Sequence, residues 1–178
     1  MKITLKDGSS RDIPAGQTVG SALSALGLMS KPGIIAARVN GRTVDLSSTL
    51  TEDAEVVPLQ FDSAEGREVY RHSSTHIMAQ AVKEVFPSAQ LTIGPALEDG
   101  FFYDFAFERP FTPEDLEKIE ARAKEIIKRA LPVKRAEWSK QEAVQFFKER
   151  GESYKVELVQ GLADGQKISV YSQEEFTD

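Results

Sequence analysis

The sequence predicts an α+β protein in which a small strand-rich domain precedes a larger mixture of helices and antiparallel strands. Two turn signals, Asp7-Gly8 and Asn40-Gly41, each separate short apolar runs early in the chain, a pattern typical of β-hairpins. Residues 65–85 then carry apolar side chains at helical spacing, and further helical and strand patterns follow. Together these observations favour the α+β class.

The first domain is predicted to place one helix among several short strands. Thr18 is expected as the N-cap of this helix, and Gly27 is expected to close it. The strands are predicted at residues 2–6, 11–14, 34–39, 42–46 and 55–59. A hairpin, one helix and further strands in this order indicate a ubiquitin-like β-grasp. The short polar stretch that begins at Asp62 favours a boundary there, which gives domains 1–62 and 63–178.

The second domain is predicted to alternate helices with short strands. The helix over residues 65–85 stops before Pro87, and later helices begin after the N-caps Thr112 and Ser139. The remaining segments are predicted as strands: 91–105, broken by a Gly-Pro pair and an Asp-Gly turn; 133–137; and 154–159 paired with 168–171.

Composition narrows the possible functions. The net charge of −6 argues against a stand-alone nucleic-acid binder held by phosphate contacts. The chain has no cysteine, so it holds neither disulfides nor a thiolate nucleophile. Its start has no apolar core of a signal peptide, and no run reaches the roughly 20 apolar residues of a membrane span. We expect a soluble, cytoplasmic protein.

The strongest chemical signal is a pair of histidines, His72 and His76, which are the two histidines of the chain. Because residues four apart lie on one face of a helix, both imidazoles should point into the same volume. This geometry suits a shared metal ion or two neutral bases beside a substrate, although two solvated surface residues would show the same spacing. Ser73 follows His72, but adjacent helix positions do not face each other, so a Ser–His nucleophile pair is disfavoured.

The surroundings of the pair carry a resemblance to a known family. The segments 71–105, 151–155 and 174–178 resemble the editing domain of bacterial-type threonyl-tRNA synthetases, a domain related to alanyl-tRNA editing proteins. The first domain resembles the TGS module of the same enzymes, in Val39-Asn40-Gly41, Asp45-Leu46 and Asp53. The resemblance covers essentially the whole chain.

The resemblance implies a water-based hydrolysis of an aminoacyl-tRNA ester. By position, His72 and His76 would be the paired imidazoles of the pocket, Lys155 a cation near the ester and Asp178 an acidic partner. Tyr103 would contact the terminal adenosine. The implied substrate is the tRNA(Thr) 3′ end carrying mischarged serine, because a site that selects threonine by size loses only about 1–3 kcal/mol when it admits a side chain one methyl smaller.

The family pattern continues past the position of Asp178 into a Cys-x-x-x-His segment. Without cysteine or a third histidine, a four-ligand metal site of that type cannot be completed, and His72 and His76 are partial ligands only. We therefore expect a fragment of a longer, homodimeric synthetase, cut inside the editing domain. ATP, magnesium and zinc would serve the catalytic core of the parent, and no cofactor is expected in these residues.

The isolated chain is accordingly expected not to aminoacylate and to be impaired in hydrolysis. Its expected partners are tRNA(Thr) and the rest of the synthetase chain, and no membrane. One alternative is a non-catalytic tRNA-binding or regulatory module with the same fold. Another is a metal-dependent hydrolase, but Ser73 stands where metalloproteases of this spacing have a glutamate. A stand-alone alanyl-type editing protein is less favoured because a β-grasp domain comes first.

Overall fold

The computed structural model describes residues 1–29 and 33–178. These residues divide into two compact units, Met1–Arg71 and His72–Asp178. The chain combines helices with mostly antiparallel strands, so the predicted α+β class is confirmed. None of the helices in the described residues is both long enough and apolar enough to cross a membrane.

The first unit is a five-stranded sheet, in the order β2-β1-β5-β3-β4, with one helix. Strands β1 and β5 pair in parallel and the other neighbours are antiparallel, as expected for a β-grasp. Its elements are β1 (Lys2–Thr4), β2 (Ser10–Asp12), α1 (Val19–Ala25), β3 (Ile34–Val39), β4 (Arg42–Val44) and β5 (Ala54–Gln60).

Local sequence explains the turns of this unit. Asn40 and Gly41 both have positive φ, 48° and 82°, which is the geometry of a type I′ hairpin turn and confirms the predicted β3–β4 hairpin. The Thr18 hydroxyl accepts from the Ser21 N–H at 3.2 Å and caps α1, as predicted. The buried side chains of Ile3, Leu23 and Val56 form the centre of the core.

Helix α2 (Ala64–Val85) begins where the backbone of β5 comes very close. The N–H of Gly66 donates to the Ser63 hydroxyl at 3.0 Å. A Cβ on Gly66 would lie 1.9 Å from the carbonyl oxygen of Gln60, so only glycine fits this position. The helix ends before Pro87, as the sequence predicts.

The second unit packs helices against short antiparallel ladders. Its strands form the three-stranded sheet β10-β11-β12 and the pairs β6–β9 and β7–β8. After α2, its elements are β6 (Gln90–Leu91), β7 (Ala96–Leu97), β8 (Gly100–Phe101), β9 (Phe105–Ala106), α3 (Pro113–Arg129), β10 (Lys134–Trp138), α4 (Lys140–Glu149), α5 (Ser153–Gly161), β11 (Ile168–Gln173) and β12 (Phe176–Thr177). Thr112 and Ser139 are both N-caps, as predicted, and each forms a capping box, which was predicted for Ser139.

One predicted strand is wrong. Residues 154–159 belong to helix α5, and β11 pairs with β10 and β12 instead. The apolar residues Tyr154, Val156 and Leu158 alternate as in a strand, but Tyr154 and Leu158 are exposed. The least exposed positions are 152, 155, 156 and 159, which have helical spacing. Two of these four positions carry charged side chains, so the helical period is hidden in the hydrophobic pattern.

The predicted aromatic strand is also interrupted. Leu97 and Gly100 face each other across the turn of the β7–β8 hairpin, and the chain leaves the ladder before β9 begins. The interruption spans residues 102–104. It contains Tyr103, whose side chain points into the interior of the unit and bonds to Asp178.

Candidate functional site

Helix α2 brings the two histidines together, as their spacing predicts. The Nε2 atoms of His72 and His76 lie 3.0 Å apart, and the ring planes are inclined at 83°. His72 is exposed and His76 is half-buried. The pair therefore forms one wall of the site, reached from solvent on the His72 side.

Asp178 forms the centre of the site. Its carboxylate oxygen Oδ2 accepts from Nδ1 of His76 at 3.0 Å and from the hydroxyl of Tyr103 at 3.0 Å. The side chain is only 5% exposed. Its backbone is held in the β11–β12 hairpin, because the N–H and C=O of Asp178 both bond to Tyr171, at 2.9 and 2.8 Å. The carboxylate is thus buried on a rigid element.

Lys155 reaches the same centre from α5. Its ammonium forms an ion pair with Oδ1 of Asp178 and donates to the Tyr103 hydroxyl at 3.0 Å. Its side chain is 14% exposed, so the charge is largely removed from water. Burial strengthens the attraction between Lys155 and Asp178, because the local dielectric is lower than that of water.

Tyr103 is held in place by a close approach of the backbone. A Cβ on Gly94 would lie 2.2 Å from Cδ2 of the Tyr103 ring and 2.8 Å from Cγ2 of Thr75. On its other side the ring stacks on Phe105, with centroids 4.8 Å apart. Because Gly94 has no side chain, the Tyr103 ring fills the space beside it. This packing directs the hydroxyl toward Asp178.

The contacts also assign the protons of the imidazole pair. An ionised carboxylate only accepts hydrogen bonds, so a His76 that bonds to Asp178 carries its proton on Nδ1. In a neutral imidazole Nε2 is then an acceptor, and Nε2 of His72 is the donor across the 3.0 Å contact. The hydrogen bonds therefore all run in one direction, from His72 to His76 and from His76 to Asp178. The carboxylate stands at the end of this series and stabilises positive charge on the imidazoles.

Burial and charge shift the titration of two groups. Burial alone would raise the pKa of Asp178, but the hydrogen bond from His76 and the charge of Lys155 outweigh it and hold the pKa well below its usual range. Burial raises the pKa of the Tyr103 phenol well above its ordinary value, and Asp178 adds to the shift. At neutral pH the site therefore holds a carboxylate and an un-ionised phenol.

The raised pKa of Tyr103 predicts a loss of stability in alkali. The folded state keeps the phenol protonated, so its contribution is fully present below the ordinary pKa of 10.0 and is lost as the pH rises above it. We expect the free energy of unfolding of the wild type to fall with pH above 10 more steeply than that of Tyr103→Phe, by about 1.4 kcal/mol per pH unit. Urea unfolding between pH 8 and 11.5 measures this difference. The exposed Tyr154→Phe is the matched control, and parallel curves for wild type and Tyr103→Phe would contradict the prediction.

Residues 1–57 match the TGS domain. Over 99% of its length the chain is 51% identical to the threonine–tRNA ligase of Symbiobacterium thermophilum and 48% identical to those of Methylococcus capsulatus and Azoarcus sp.. The chain is homologous to the N-terminal region of threonine–tRNA ligases. It spans about 27–28% of the length of these relatives. The resemblance stated from the sequence is therefore confirmed, for the TGS module and for the ligase family.

Within the second unit, the structure places all the predicted site residues in one network. His72, His76, Tyr103, Lys155 and Asp178 are linked by the contacts described above, and all belong to the unit His72–Asp178. The Tyr103 hydroxyl lies between Lys155 and Asp178, and its implied contact with adenosine stays a prediction. Within residues 1–29 and 33–178, no group of three or more histidine or acidic side chains is arranged to hold a metal ion.

Two contributors to the site were not predicted from the threonine–tRNA ligase resemblance or from the sequence pattern. The ring of Tyr171 lies against both imidazoles, with centroids 5.6 Å from His72 and 5.3 Å from His76. Gly94 makes room for Tyr103. The Gly-Pro break was recognised as an interruption, but only the fold shows which ring fills the space beside it.

Proposed function

We propose that residues 63–178 belong to an editing domain through which the longer threonine–tRNA ligase hydrolyses seryl-tRNA(Thr), and that the isolated chain is impaired in this reaction. The observation that carries the proposal is the network around Asp178, in which the His76 imidazole, a phenol and an ammonium contact one buried carboxylate and the His72 imidazole contacts that of His76. Such a convergence of polar groups with shifted pKa values is typical of catalytic sites. Homology to threonine–tRNA ligases supports a tRNA-linked ester as the substrate.

The reaction is a hydrolysis by a water molecule, without a covalent enzyme intermediate. The water oxygen attacks the ester carbonyl carbon and gives one proton to the imidazole pair, whose positive charge faces Asp178. Two of the three N–H donors of the Lys155 ammonium go to Tyr103 and Asp178, and the third stabilises the oxyanion. The bond between the carbonyl carbon and the ribose oxygen then breaks, and the proton moves to that oxygen. The products are free serine and tRNA with a free hydroxyl.

A hydrolytic site separate from the synthetic site is useful to the longer protein. The synthetic site of a threonine–tRNA ligase cannot strongly reject serine, because the missing methyl changes binding by only about 1–3 kcal/mol. A hydrolytic site that admits serine and rejects threonine removes the error. In this proposal the longer protein supplies the ATP- and magnesium-dependent ligation, its zinc and its dimer interface, and it works in the cytoplasm on tRNA(Thr).

The test uses the full-length protein and purified seryl-tRNA(Thr) and threonyl-tRNA(Thr). We expect the wild type to hydrolyse the serine ester and to spare the threonine ester. His76→Ala should lower kcat/KM for the serine ester by about 10²- to 10⁴-fold, the usual contribution of a positioned acid–base group. Ser73→Ala, an exposed position of the same helix, is the matched control and should keep the wild-type rate.

Three results would contradict the proposal. An inert wild type that still binds the tRNA would identify the domain as a non-catalytic tRNA-binding module. Equal rates for the serine and threonine esters would remove the editing role. Loss of activity in Ser73→Ala would point to a serine nucleophile instead of water.

A further inference from the structure

We propose that Tyr171 is a positioning residue, which holds the imidazoles of His72 and His76 in the single arrangement that the Asp178 network requires. Its consequence for hydrolysis rests on the proposed function, whereas its effect on the imidazoles does not. The proposal comes from the contacts of one aromatic ring and from the register of the strand that carries it.

The ring of Tyr171 contacts both histidines at once. It meets His72 edge-on, at 68°, and lies more nearly parallel to His76, at 37°. Because an imidazole turns easily about the bond to its Cβ, a hydrogen bond at one nitrogen alone leaves the ring poorly defined. Contact with a bulky ring removes that freedom. One side chain thus restrains the two rings whose Nε2 atoms meet at 3.0 Å.

The backbone of Tyr171 fixes the third member of the network. Its N–H and C=O bond to the C=O and N–H of Asp178, so the two residues form a hydrogen-bonded antiparallel pair. Side chains of directly opposed residues lie on the same face of a sheet. The ring and the carboxylate therefore face α2 together, at a separation set by the sheet.

The neighbouring strand anchors the other end of the ring. Arg135 lies directly opposite Tyr171 in the β10–β11 ladder, and the pKa of its guanidinium is raised mainly by Glu137 and further by the Tyr171 hydroxyl. The same guanidinium also donates to Glu137 and Ser169, at 3.0 and 2.7 Å. Because Arg135 keeps these partners without the hydroxyl, we expect the ring rather than the hydroxyl to do most of the positioning.

The test reads the imidazoles directly by NMR of the 178-residue chain. With only two histidines, the ¹⁵N signals of the side chains are readily assigned. At pH 8 we expect fixed tautomers in the wild type, with the proton on Nδ1 of His76 and on Nε2 of His72. Tyr171→Phe should keep these signals. Tyr171→Val removes the ring but suits a strand, and it should give averaged tautomers on both histidines.

A matched control separates positioning from a general weakening of the hairpin. Ser172→Ala removes the 2.9 Å contact between the Ser172 and Thr177 hydroxyls in the same hairpin, and it should leave the tautomers fixed. If Tyr171→Val does not fold, Tyr171→Leu takes its place. Averaged tautomers in the wild type, or fixed tautomers in a folded variant without the ring, would overturn the proposal.

A second test measures the hydrolysis of seryl-tRNA(Thr) by the full-length protein. If the proposed function holds, Tyr171→Val should lower kcat for seryl-tRNA(Thr) by about 10-fold or more with little change in KM, because it disturbs a catalytic group and not the substrate contacts. Tyr171→Phe should restore the rate. The tautomers could be fixed in the wild type and averaged in Tyr171→Val while the full-length protein shows no hydrolysis of seryl-tRNA(Thr). This result would support the positioning role of Tyr171 and reject the editing function.

Discussion

Asp178→Asn is expected to abolish most of the hydrolysis of seryl-tRNA(Thr) in the full-length protein, lowering kcat/KM by about 10³-fold, within the range known for single acid–base groups and their orienting carboxylates. The amide keeps the shape of the side chain but loses the charge. Nδ1 of His76 then has no anion to stabilise a protonated ring, and the Lys155 ammonium loses its counter-ion. An amide can also donate as well as accept, so it no longer dictates the His76 tautomer.

Single-turnover hydrolysis, with aminoacylation measured in parallel, checks this expectation. Asp164→Asn is the control with the same charge change, because Asp164 is 98% exposed and pairs with Lys140 outside the site. Aminoacylation should be unchanged in both variants. A wild-type hydrolysis rate in Asp178→Asn would show that the buried carboxylate has no part in the chemistry, and the mechanism proposed above would be wrong.

Gly66→Ala is expected to be the most destabilising substitution of a single methyl group in the first unit, with a loss of about 3 kcal/mol in the free energy of unfolding. The new Cβ would lie 1.9 Å from the carbonyl oxygen and 2.6 Å from the carbonyl carbon of Gln60. Both are backbone atoms at the end of β5, so no side-chain rotation relieves the clash. The start of α2 or the end of β5 has to move.

Urea unfolding followed by circular dichroism measures the effect. Gly161→Ala is the matched control, since it also adds a methyl group to a helical glycine, in α5, where no atom lies within 4 Å of the new Cβ. It should be neutral or slightly stabilising, because alanine has the higher helix propensity. Equal unfolding curves for Gly66→Ala and Gly161→Ala would show that the contact at Gln60 does not constrain the fold.

The elements that sequence predicted best depend on local signals. Thr18, Thr112 and Ser139 cap the helices that follow them, and the Asn40-Gly41 turn has the predicted backbone. Caps and tight turns involve residues within a few positions of one another, so the chain itself contains the information. The β-grasp order followed from these local signals.

The strand predicted over residues 154–159 was wrong because the buried face of helix α5 is partly charged. Glu152 forms an ion pair with Lys83 at 2.7 Å, and Lys155 forms one with Asp178. A hydrophobic pattern reports burial only where the buried side chains are apolar, and here two buried positions carry polar contacts instead. The error therefore falls next to the candidate site.

The candidate site itself was predictable to different degrees. The spacing of His72 and His76 implied that their rings share a face, and the structure confirms it. Lys155, Asp178 and Tyr103 were named through the family resemblance, since no local pattern links them. Tyr171 remained unnoticed because its role depends on the strand register that sets it opposite Asp178, and register is a property of the folded sheet.

The members of the Asp178 network lie far apart along the chain. The contact between His76 and Asp178 joins residues 102 positions apart, and Tyr103 bonds to residues 52 and 75 positions away. Contacts between such distant residues form late in folding, because the intervening chain must first be ordered. On the ribosome the site cannot assemble until Asp178 has left the exit tunnel. The complete Asp178 network is thus absent from every shorter nascent chain.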